Sequence, residues 1–256
     1  MVALVSTLHD PDGRMVPAME MSLPALRVLY EQIIVVPTPA TSPELLGRLE
    51  EATVALLPES AGAIGTGRRH ALRLGMESGA SRLHYCDFDR VLHWVRAYPS
   101  ELASALEAIG RHDYLIIGRT ARAFSTHPQL QVETEQVTNH AFSRWFGQEV
   151  DVSAGSCGAS RQGAEWILRR SVTPSNATDA EWPAIVKCRG GRVGYLATEG
   201  LEFETPDYYP DELSRAGSLE VWLDARSEIL EWWIPRTRLA LESLEAALAV
   251  IRCPEA

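Results

Sequence analysis

The 256-residue sequence has no basic excess, no long hydrophobic run and few cysteines. Lysine and arginine number 24 against 34 for aspartate and glutamate, so the chain lacks the positive footprint of a nucleic-acid-binding protein. No stretch of about 18 apolar residues is present, which predicts that no segment crosses a membrane. The four cysteines have no C-x-x-C spacing, and this indicates reduced thiols rather than a disulfide framework or a zinc site. Because no basic segment precedes the first apolar run, as a signal peptide would require, we expect a cytoplasmic protein.

Short apolar runs alternate with amphipathic segments along the first part of the chain. The runs typical of buried strands are residues 2–8, 32–37, 53–57, 81–86 and 114–117. Between them lie segments with apolar residues every three to four positions, as on one face of a helix. This alternation predicts βαβ units and an α/β fold with a mainly parallel sheet. Further on, the pattern predicts a helix at 130–146, a strand at 193–196 and two C-terminal helical segments that separate near Pro235.

Polar residues follow the predicted strands at their carboxyl ends. In an open parallel sheet these ends meet at one edge, and ligands bind in the crevice beyond it. We therefore expect side chains from several strands to converge on one edge of the sheet, where a ligand can bind. These residues are Thr7 and Asp10 after the first strand, Thr38 after the second, Glu59 after the third and Asp87 after the fourth.

The segment Asp87-Phe88-Asp89 stands at the end of the fourth apolar run. On a loop, two carboxylates separated by one residue can reach the same ion. Mg²⁺ or Mn²⁺ is commonly held by one or two carboxylates together with substrate phosphates. Asp87 and Asp89 are therefore candidate metal ligands, and the nearby His93 is a further candidate. The alternative is a solvated acidic turn, but the position after a buried strand and three βα units favours a metal site.

The segment Gly65-Thr66-Gly67-Arg68-Arg69 is predicted to be a flexible loop that opens into a helix at Arg68. Backbone N–H groups at a helix N-terminus, together with guanidinium groups, can bind a phosphate. We therefore predict that Gly65, Gly67, Arg68 and Arg69 contact a phosphate or the edge of a nucleotide. The alternative is a connecting loop followed by ordinary surface arginines, because the pattern is neither a Walker loop nor a dinucleotide fingerprint.

Two segments in the second half of the chain are candidates for the acceptor side. Asp179 and Glu181 stand beside a tryptophan, and a carboxylate there could be a general base for an acceptor hydroxyl. The alternative for Asp179 is a helix N-cap. Gly155, Ser156 and Gly158 belong to a small-residue segment that suits a backbone passing close to a sugar, or else a tight turn before the next helix.

Taken together, these residues resemble the GT-A family of nucleotide-sugar glycosyltransferases. Within that family, the chain is similar to the branch that includes dolichyl-phosphate-mannose synthase and mannosyl-3-phosphoglycerate synthase. The resemblance is carried by residues 65–75, a basic glycine-containing loop and a helix, and by the strand that ends in Asp87-Phe88-Asp89. It implies a three-layer α/β/α sandwich with a mainly parallel central sheet and C-terminal helices. It also implies that Asp87 and Asp89 hold Mg²⁺ or Mn²⁺.

The same resemblance implies roles for residues in the second half of the chain. The segment ending in Arg119 resembles a Gly-Ser-Arg segment of the family, which implies an acceptor-side position. Residues 155–160 resemble the acceptor-side glycine loop, and Asp179 with Glu181 resembles the segment that carries the catalytic base of inverting members. The chain departs from the family at residues 7–10, where Thr-Leu-His-Asp replaces Pro-x-x-Asn-Glu. Its last third also has no histidine that could serve as a late metal ligand.

The predicted function is that of a metal-dependent glycosyltransferase, which moves a sugar from a GDP- or UDP-linked donor to an unidentified hydroxyl acceptor. Two alternatives use the same fold: a nucleotidyltransferase that makes nucleotide sugars, and a non-catalytic nucleotide-sugar-binding protein. We expect residues 1–215 to form the nucleotide-sugar and acceptor region, and 216–256 to be a C-terminal helical extension of the same domain. A homodimer is a further expectation, and nucleic acid is not an expected partner.

Overall fold

A single sheet forms the centre of the protein. The computed structural model describes residues 2–51, 55–56 and 63–253. The strands of this part are β1 (Val2–Leu8), β2 (Gln32–Pro37), β3 (Ala55–Leu56), β4 (Arg82–Cys86), β5 (Tyr114–Arg119), β6 (Ser156–Ser160) and β7 (Val193–Thr198). They lie in the order β3-β2-β1-β4-β6-β5-β7. All neighbouring pairs run parallel except those of β6, which is antiparallel to both β4 and β5.

Helices cover both faces of this sheet. Within the described residues they are α1 (Val16–Leu29), α2 (Pro43–Glu51), α3 (Ile64–Glu77), α4 (Phe88–Ala97), α5 (Pro99–Ile109), α6 (Ala121–Ser125), α7 (Gln129–Phe146), α8 (Arg161–Arg170), α9 (Thr178–Cys188), α10 (Pro210–Ala216), α11 (Leu219–Ser227) and α12 (Leu230–Arg252). One face packs against α1, α2, α4 and α5. The other packs against α3, α7, α8, α9 and α12. The predicted α/β/α sandwich with a mainly parallel sheet is therefore confirmed.

The first strand shows why the sequence gives a sheet that is buried on both sides. Successive side chains of a strand point to opposite faces, so Leu4 lies in one hydrophobic core while Ala3 and Val5 lie in the other. All three side chains are fully buried. A parallel strand covered on both faces therefore appears in the sequence as an unbroken apolar run, and the predicted bounds of β1 and β2 are confirmed.

The small-residue segment 155–160 is largely a strand and not the predicted loop. β6 pairs with β4 and β5 from Ser156 to Ser160 and lies in the middle of the sheet. Gly158 faces helix α5, where an added Cβ would lie 2.3 Å from Cγ1 of Ile109. The glycine is therefore needed for close packing of the helix on the sheet, a requirement that local sequence does not reveal.

Two helix boundaries also differ from the predicted ones. Helix α3 begins at Ile64 rather than Arg68, so the predicted glycine loop forms its first turn. The two C-terminal helices separate at residues 228–229, before the predicted position near Pro235. Pro235 is the sixth residue of the 23-residue helix α12, where it removes one backbone hydrogen bond without ending the helix.

Helix α12 packs against α7 and α9, and its Ala247 and Val250 belong to one of the two hydrophobic cores. Together these contacts bring α12 to the side of the sheet that also carries α3 and α9. Among the described residues, no helix combines the length and the apolar character needed to cross a bilayer.

Candidate active site

The two acidic residues of Asp87-Phe88-Asp89 lie at a junction between a strand and a helix. β4 ends at Cys86, Asp87 is the N-cap residue of α4, and Asp89 lies in the first turn of that helix. This corrects the predicted loop around the pair. The buried Phe88 side chain anchors the junction in the core. Carboxylates at the N-terminal end of a helix are stabilised by its dipole, so this junction suits a pair of anionic side chains.

Asp87 is held by side chains from three different elements. The hydroxyl of Tyr85 donates a hydrogen bond of 2.5 Å to Oδ1, and the hydroxyl of Thr7 lies 3.4 Å from the same oxygen. Nη2 of Arg68 lies 3.2 Å from Oδ2. The orientation of the Asp87 carboxylate is therefore fixed by β1, β4 and α3 together.

Asp89 has a different environment. Its Oδ1 accepts a hydrogen bond of 2.8 Å from the backbone N–H of Arg90. The pKa of the Asp89 carboxyl is raised to about 7, chiefly by burial and also by the negative charges of Glu204 and Asp87, while Arg90 opposes the rise. A partly buried carboxylate beside other carboxylates is destabilised in its charged form, and a nearby divalent cation would relieve this repulsion.

The donor set at this position fits Mg²⁺ or Mn²⁺. Asp87 and Asp89 line the same cleft, and such ions are typically held by one or two protein carboxylates while water and phosphate oxygens complete the shell. Within the described part of the chain, no group of three or more His, Cys, Asp or Glu side chains could hold a metal. His93 is not a ligand here, because its Nδ1 is hydrogen-bonded to Asp207 at 2.8 Å and its Nε2 to Glu202 at 3.2 Å.

A cleft of about 550 Å³ lies beyond the carboxyl ends of β1 and β2 and beside the first turn of α3. Of the predicted nucleotide contacts, Thr7, Thr38, Gly67 and Asp87 line it. Most of the remaining lining is apolar. The other lining residues are Leu8, His9, Met15, Val36, Pro39, Ala40, Ala63, Ile64 and Asp89. His9 follows β1 directly, and this position is a signal that could have identified it in the sequence.

Three predicted nucleotide contacts hold the surrounding backbone instead of lining the cleft. Asp10 is buried and accepts hydrogen bonds from the backbone N–H groups of the two residues that precede α1, at 2.8 and 3.0 Å. The backbone N–H of Gly65 donates to the carbonyl of Pro174, and an added Cβ would lie 2.2 Å from the carbonyl oxygen of Thr173. Arg69 donates to that same Thr173 carbonyl at 2.6 Å. Glu59 lies outside the described residues.

Arg68 joins the acidic pair to the segment that carries the candidate base. Its side chain is only 2% exposed, and its Nη1 lies 2.5 Å from Oδ1 of Asp179 and 3.0 Å from the Thr178 hydroxyl. The same guanidinium contacts Asp87 through Nη2. Burial raises the pKa of Asp179 to about 6, although the charge of Arg68 opposes that rise. Arg68 therefore bridges the carboxylate that follows β4 and the carboxylate in the first turn of α9.

A second, smaller pocket of about 120 Å³ meets the cleft at Asp87. Asp179 and Gly155 line this pocket, as do Arg68, Arg90 and Arg236. The two last-named arginines were not among the sequence candidates, and no local signal marks Arg236. The remaining residues that line the second pocket are Gln131, Thr134, Glu135, Thr138, Val152, Ser153, Asn176, Ala180, Leu239, Ala240 and Ser243.

Gly155 lines the second pocket beside Asp87, the residue that this pocket shares with the cleft. Its φ of +68° is in the left-handed region, which favours glycine. An added Cβ would also lie 2.7 Å from Oδ2 of Asp87. Glycine is therefore required at this position both by the backbone conformation and by the space beside the acidic pair.

The remaining predicted acceptor-side and catalytic residues lie within the body of the protein. Glu181 is buried and accepts backbone hydrogen bonds from Val172 and Thr173 at 2.9 and 3.2 Å. Ser156 is hydrogen-bonded to the buried His84 at 3.0 Å. Arg119 is also buried and pairs with Asp151 and Glu135, at 2.7 and 2.6 Å, beside a separate opening. Gly158 packs beneath α5.

No protein-family model and no curated protein sequence matches the chain. Similarity is instead found among solved structures. A crystal structure of glucosyl-3-phosphoglycerate synthase from Mycobacterium tuberculosis with uridine diphosphate has a TM-score of 0.53 and 12% identity, over 77% of this chain and 69% of that one. The same enzyme with Mn²⁺, uridine diphosphate and phosphoglyceric acid has a TM-score of 0.51 and 13% identity, over 77% and 68%. A mycobacterial protein has a TM-score of 0.54 and 15% identity, over 85% and 75%.

The chain has a GT-A fold. This likeness covers 77% to 85% of the chain and confirms the predicted fold class. At sequence identities of 12% to 15%, this likeness establishes the architecture alone. The chemistry depends on the side chains of this chain. Those side chains provide an acidic pair on one wall of a cleft and a buried carboxylate in an adjoining pocket.

Proposed function

We propose that the protein is a metal-dependent glycosyltransferase that takes its sugar from a nucleotide diphosphate donor. One observation carries the proposal: a cleft and a smaller pocket meet at Asp87, with Asp89 on the cleft side and Asp179 on the pocket side. Sugar transfer needs a donor site and an acceptor site that open onto each other. Asp87 at the junction, with Asp89 beside it in the cleft, suits a metal ion that carries the diphosphate leaving group.

The cleft is proposed as the donor site. Its volume of about 550 Å³ lies within the range of small-molecule and cofactor pockets. Its apolar lining suits the nucleoside, and its acidic end suits a divalent ion that carries the diphosphate. Uridine diphosphate sugars are the first donors to test, because the Mycobacterium tuberculosis synthase with the same fold binds uridine diphosphate. GDP-linked sugars are the second.

Asp87 and Asp89 would hold Mg²⁺ or Mn²⁺, which would neutralise the charge that develops on the leaving diphosphate. The residues of the chain itself orient this pair. Tyr85 donates a hydrogen bond to Asp87, and the rigid start of α4 fixes Asp89. Arg68 supplies a fixed positive charge on the pocket side of Asp87. This support is built into strands and helices, which position catalytic groups more accurately than loops do.

The second pocket is proposed as the site of the acceptor hydroxyl. Asp179 is the candidate general base for an inverting reaction, and a pKa of about 6 leaves it ionised at neutral pH but still basic. A retaining reaction would not need this base. Arg90 and Arg236 line the pocket beside Glu135, which pairs with Arg236 at 3.4 Å, and their guanidinium groups are candidate partners for an anionic group on the acceptor. Phosphoglyceric acid, which is bound by the synthase with the same fold, is the first acceptor to test.

Ligand binding tests the donor site directly. The thermal unfolding temperature would be measured with UDP, GDP and their sugar conjugates, each with and without Mn²⁺. We expect one nucleotide to raise it only when Mn²⁺ is present, and Asp89→Asn to abolish that rise. Glu107→Gln, which changes an exposed acid on α5 far from the cleft, is the matched control. The same rise in Asp89→Asn as in the unmodified protein would refute the metal site.

A transfer assay separates this proposal from the two alternatives. The protein would be supplied with the nucleotide sugar that binds and with candidate acceptors, and release of the nucleoside diphosphate would be measured. A glycosyltransferase releases nucleoside diphosphate, whereas a nucleotidyltransferase consumes a nucleoside triphosphate and a sugar phosphate and releases pyrophosphate. Metal-dependent binding without either product would indicate a non-catalytic binding protein.

A further inference from the structure

Helix α12 presents an apolar stripe to solvent. Leu230, Ile234, Leu241 and Leu248 are between 41% and 71% exposed. The last three are spaced by seven residues, which returns to the same helix face after two turns. A heptad seam also has a second set of positions, each of which lies three residues after or four residues before one of the first set. In α12 the second set is occupied by Leu230, Thr237, Leu244 and Ile251. This spacing is typical of a helix that pairs with another helix.

The charged residues beside the stripe alternate in sign, so positions at equal distances from its centre carry opposite charges. They are Glu231, Arg238, Glu245 and Arg252, which are also spaced by seven residues and are all exposed. The outer two, Glu231 and Arg252, lie at equal distances along the sequence from the point midway between residues 241 and 242. The inner two, Arg238 and Glu245, do the same. None of the four forms an ion pair with another side chain in the part of the chain that the structure describes.

We propose that α12 pairs antiparallel with α12 of a second copy of the chain and that the protein is a homodimer. A two-fold axis near residues 241 and 242 would bring Glu231 of one copy beside Arg252 of the other, and Arg238 beside Glu245. A two-fold interface must be complementary to itself, and this charge order meets that condition. The pairing surface would extend along a helix of 23 residues, about 34 Å long.

A parallel pairing does not use these charges. Each of the four charged residues comes one position after a residue of the second seam set. In a parallel pair, such a residue faces the residue that comes one position before the first seam set on the other helix. In α12 those are Trp233, Ala240 and Ala247, none of which is charged. The charge pattern therefore selects the antiparallel arrangement.

A lipid surface is the less favoured occupant of this stripe. Helices that lie on membranes carry mostly lysine and arginine on their polar face, whereas Glu231 and Glu245 flank the seam here. The formal net charge of the whole chain is −10, which adds repulsion from anionic lipid headgroups.

The dimer would also connect to the second pocket. Arg236 and Ser243 lie on the opposite face of α12 and line that pocket. Pairing of the outer face would hold α12 in place behind these two side chains. The dimer itself does not depend on which sugar or acceptor the protein uses, so its test is independent of the proposed function.

The first test introduces a charge at the centre of the seam. The molar mass of the full chain would be measured by light scattering across a range of concentrations, and we expect twice the chain mass of 28.3 kDa. Leu241→Glu should shift the protein to the monomer mass while its circular dichroism spectrum stays unchanged. Val28→Glu is the matched control, because Val28 is 85% exposed on α1, on the other face of the sheet, and this variant should remain dimeric.

The second test exchanges the inner charge pair. Arg238→Glu alone and Glu245→Arg alone each place like charges at two symmetric positions, so each should weaken the dimer roughly tenfold. The double variant Arg238→Glu/Glu245→Arg restores opposite charges and should return the dissociation constant to its original value. A dimer weakened further in the double variant would overturn the antiparallel pairing.

Two results would overturn the dimer proposal as a whole. One is a monomer mass at every concentration up to about 100 μM, a level at which even a weak dimer with a micromolar dissociation constant is fully formed. The other is a dimer that Leu241→Glu leaves intact, which would place the interface elsewhere. Sedimentation of a monomeric protein with vesicles of phosphatidylcholine and phosphatidylglycerol, lost in Leu241→Glu, would assign the stripe to a lipid surface instead.

Discussion

Nη1 of Arg68 lies 2.5 Å from Oδ1 of Asp179, although the two residues are 111 positions apart in the sequence. The same guanidinium lies 3.2 Å from Asp87, so one buried cation pairs with the carboxylate shared by the cleft and the second pocket. A buried charge without its partner is costly, whereas a complete pair is close to neutral. The pair therefore ties the integrity of the fold to the geometry of the candidate site.

Removing one partner of this pair should destabilise the protein strongly. Arg68→Met leaves the Asp179 carboxylate, which is 19% exposed, without its partner, and we expect a loss of about 3 kcal/mol in the free energy of unfolding, the lower end of the range for buried pairs. Asp179→Asn should cost less, because its amide is neutral and Asp87 still pairs with Arg68. Urea titrations followed by circular dichroism would measure both values and that of the double variant. We expect the double variant to lose less than the sum of the two; losses that add within about 0.5 kcal/mol would show that the pair is not coupled.

A methyl group at Gly155 should damage the candidate site as well as the fold. Gly155→Ala forces a φ of +68° on a residue with a Cβ and places that atom 2.7 Å from Oδ2 of Asp87. We expect a stability loss of about 1 kcal/mol or more from the backbone, and a displaced Asp87 that no longer supports Mn²⁺-dependent nucleotide binding. Both can be read from thermal unfolding with and without the nucleotide and Mn²⁺.

Gly190 offers a matched control for this variant. Its φ is +77°, and no atom lies within 4 Å of an added Cβ. Gly190→Ala should therefore cause a similar loss of stability while nucleotide binding is retained. If the two variants bind the nucleotide equally well, the space beside Asp87 does not matter for the site.

The proposed role of Asp179 predicts a particular pH dependence. Its pKa is raised to about 6, chiefly by burial, so the carboxylate is ionised above that pH and protonated below it. Since only the ionised form can accept a proton, the transfer rate of an inverting reaction should fall as the pH drops through about 6. Rates of nucleoside diphosphate release between pH 5 and 8 would test this. Asp179→Asn should lose most of its activity, and a residual rate that keeps the same acid limb would assign that limb to another group.

The order of strands and helices could be predicted where burial leaves a local pattern. β1 and β2 each contain four consecutive apolar residues and are followed by polar residues, and their bounds agree with the prediction. β6 could not be found in this way, because Ser156 to Ser160 contains small residues and no β-branched one. It is a strand because β4 and β5 provide hydrogen-bonding partners on both sides.

The candidate site was predictable only in part, for a similar reason. Asp87 could be found because it follows a buried strand, and its place on the cleft agrees with that pattern. The bridge from Arg68 to Asp179 has no local signal, since it depends on how α3 and α9 pack on the sheet. Glu181 looks like an equally good acid in the sequence, yet it caps the backbone at Val172 and Thr173.

The buried His84 should make the fold sensitive to acid. Tyr30 and Ser156 are hydrogen-bonded to its two ring nitrogens, at 2.6 and 3.0 Å, and the side chain is fully buried. Burial lowers its pKa from 6.5 to about 3, so the folded state keeps it neutral while the unfolded chain takes up a proton below pH 6.5. Each pH unit below 6.5 therefore favours unfolding by about 1.4 kcal/mol until the pH nears the folded pKa.

The test compares how the free energy of unfolding depends on pH in two proteins. His84→Gln keeps a side chain that can donate and accept hydrogen bonds but removes the titration. Because buried carboxyls such as Asp89 contribute slopes of the opposite sign, the difference between wild type and variant is the informative quantity. We expect this difference to shift in favour of the variant by about 3 kcal/mol between pH 7 and pH 4. His140→Gln, on the exposed face of α7, is the matched substitution outside the core, and a shift of equal size there would remove the argument for His84.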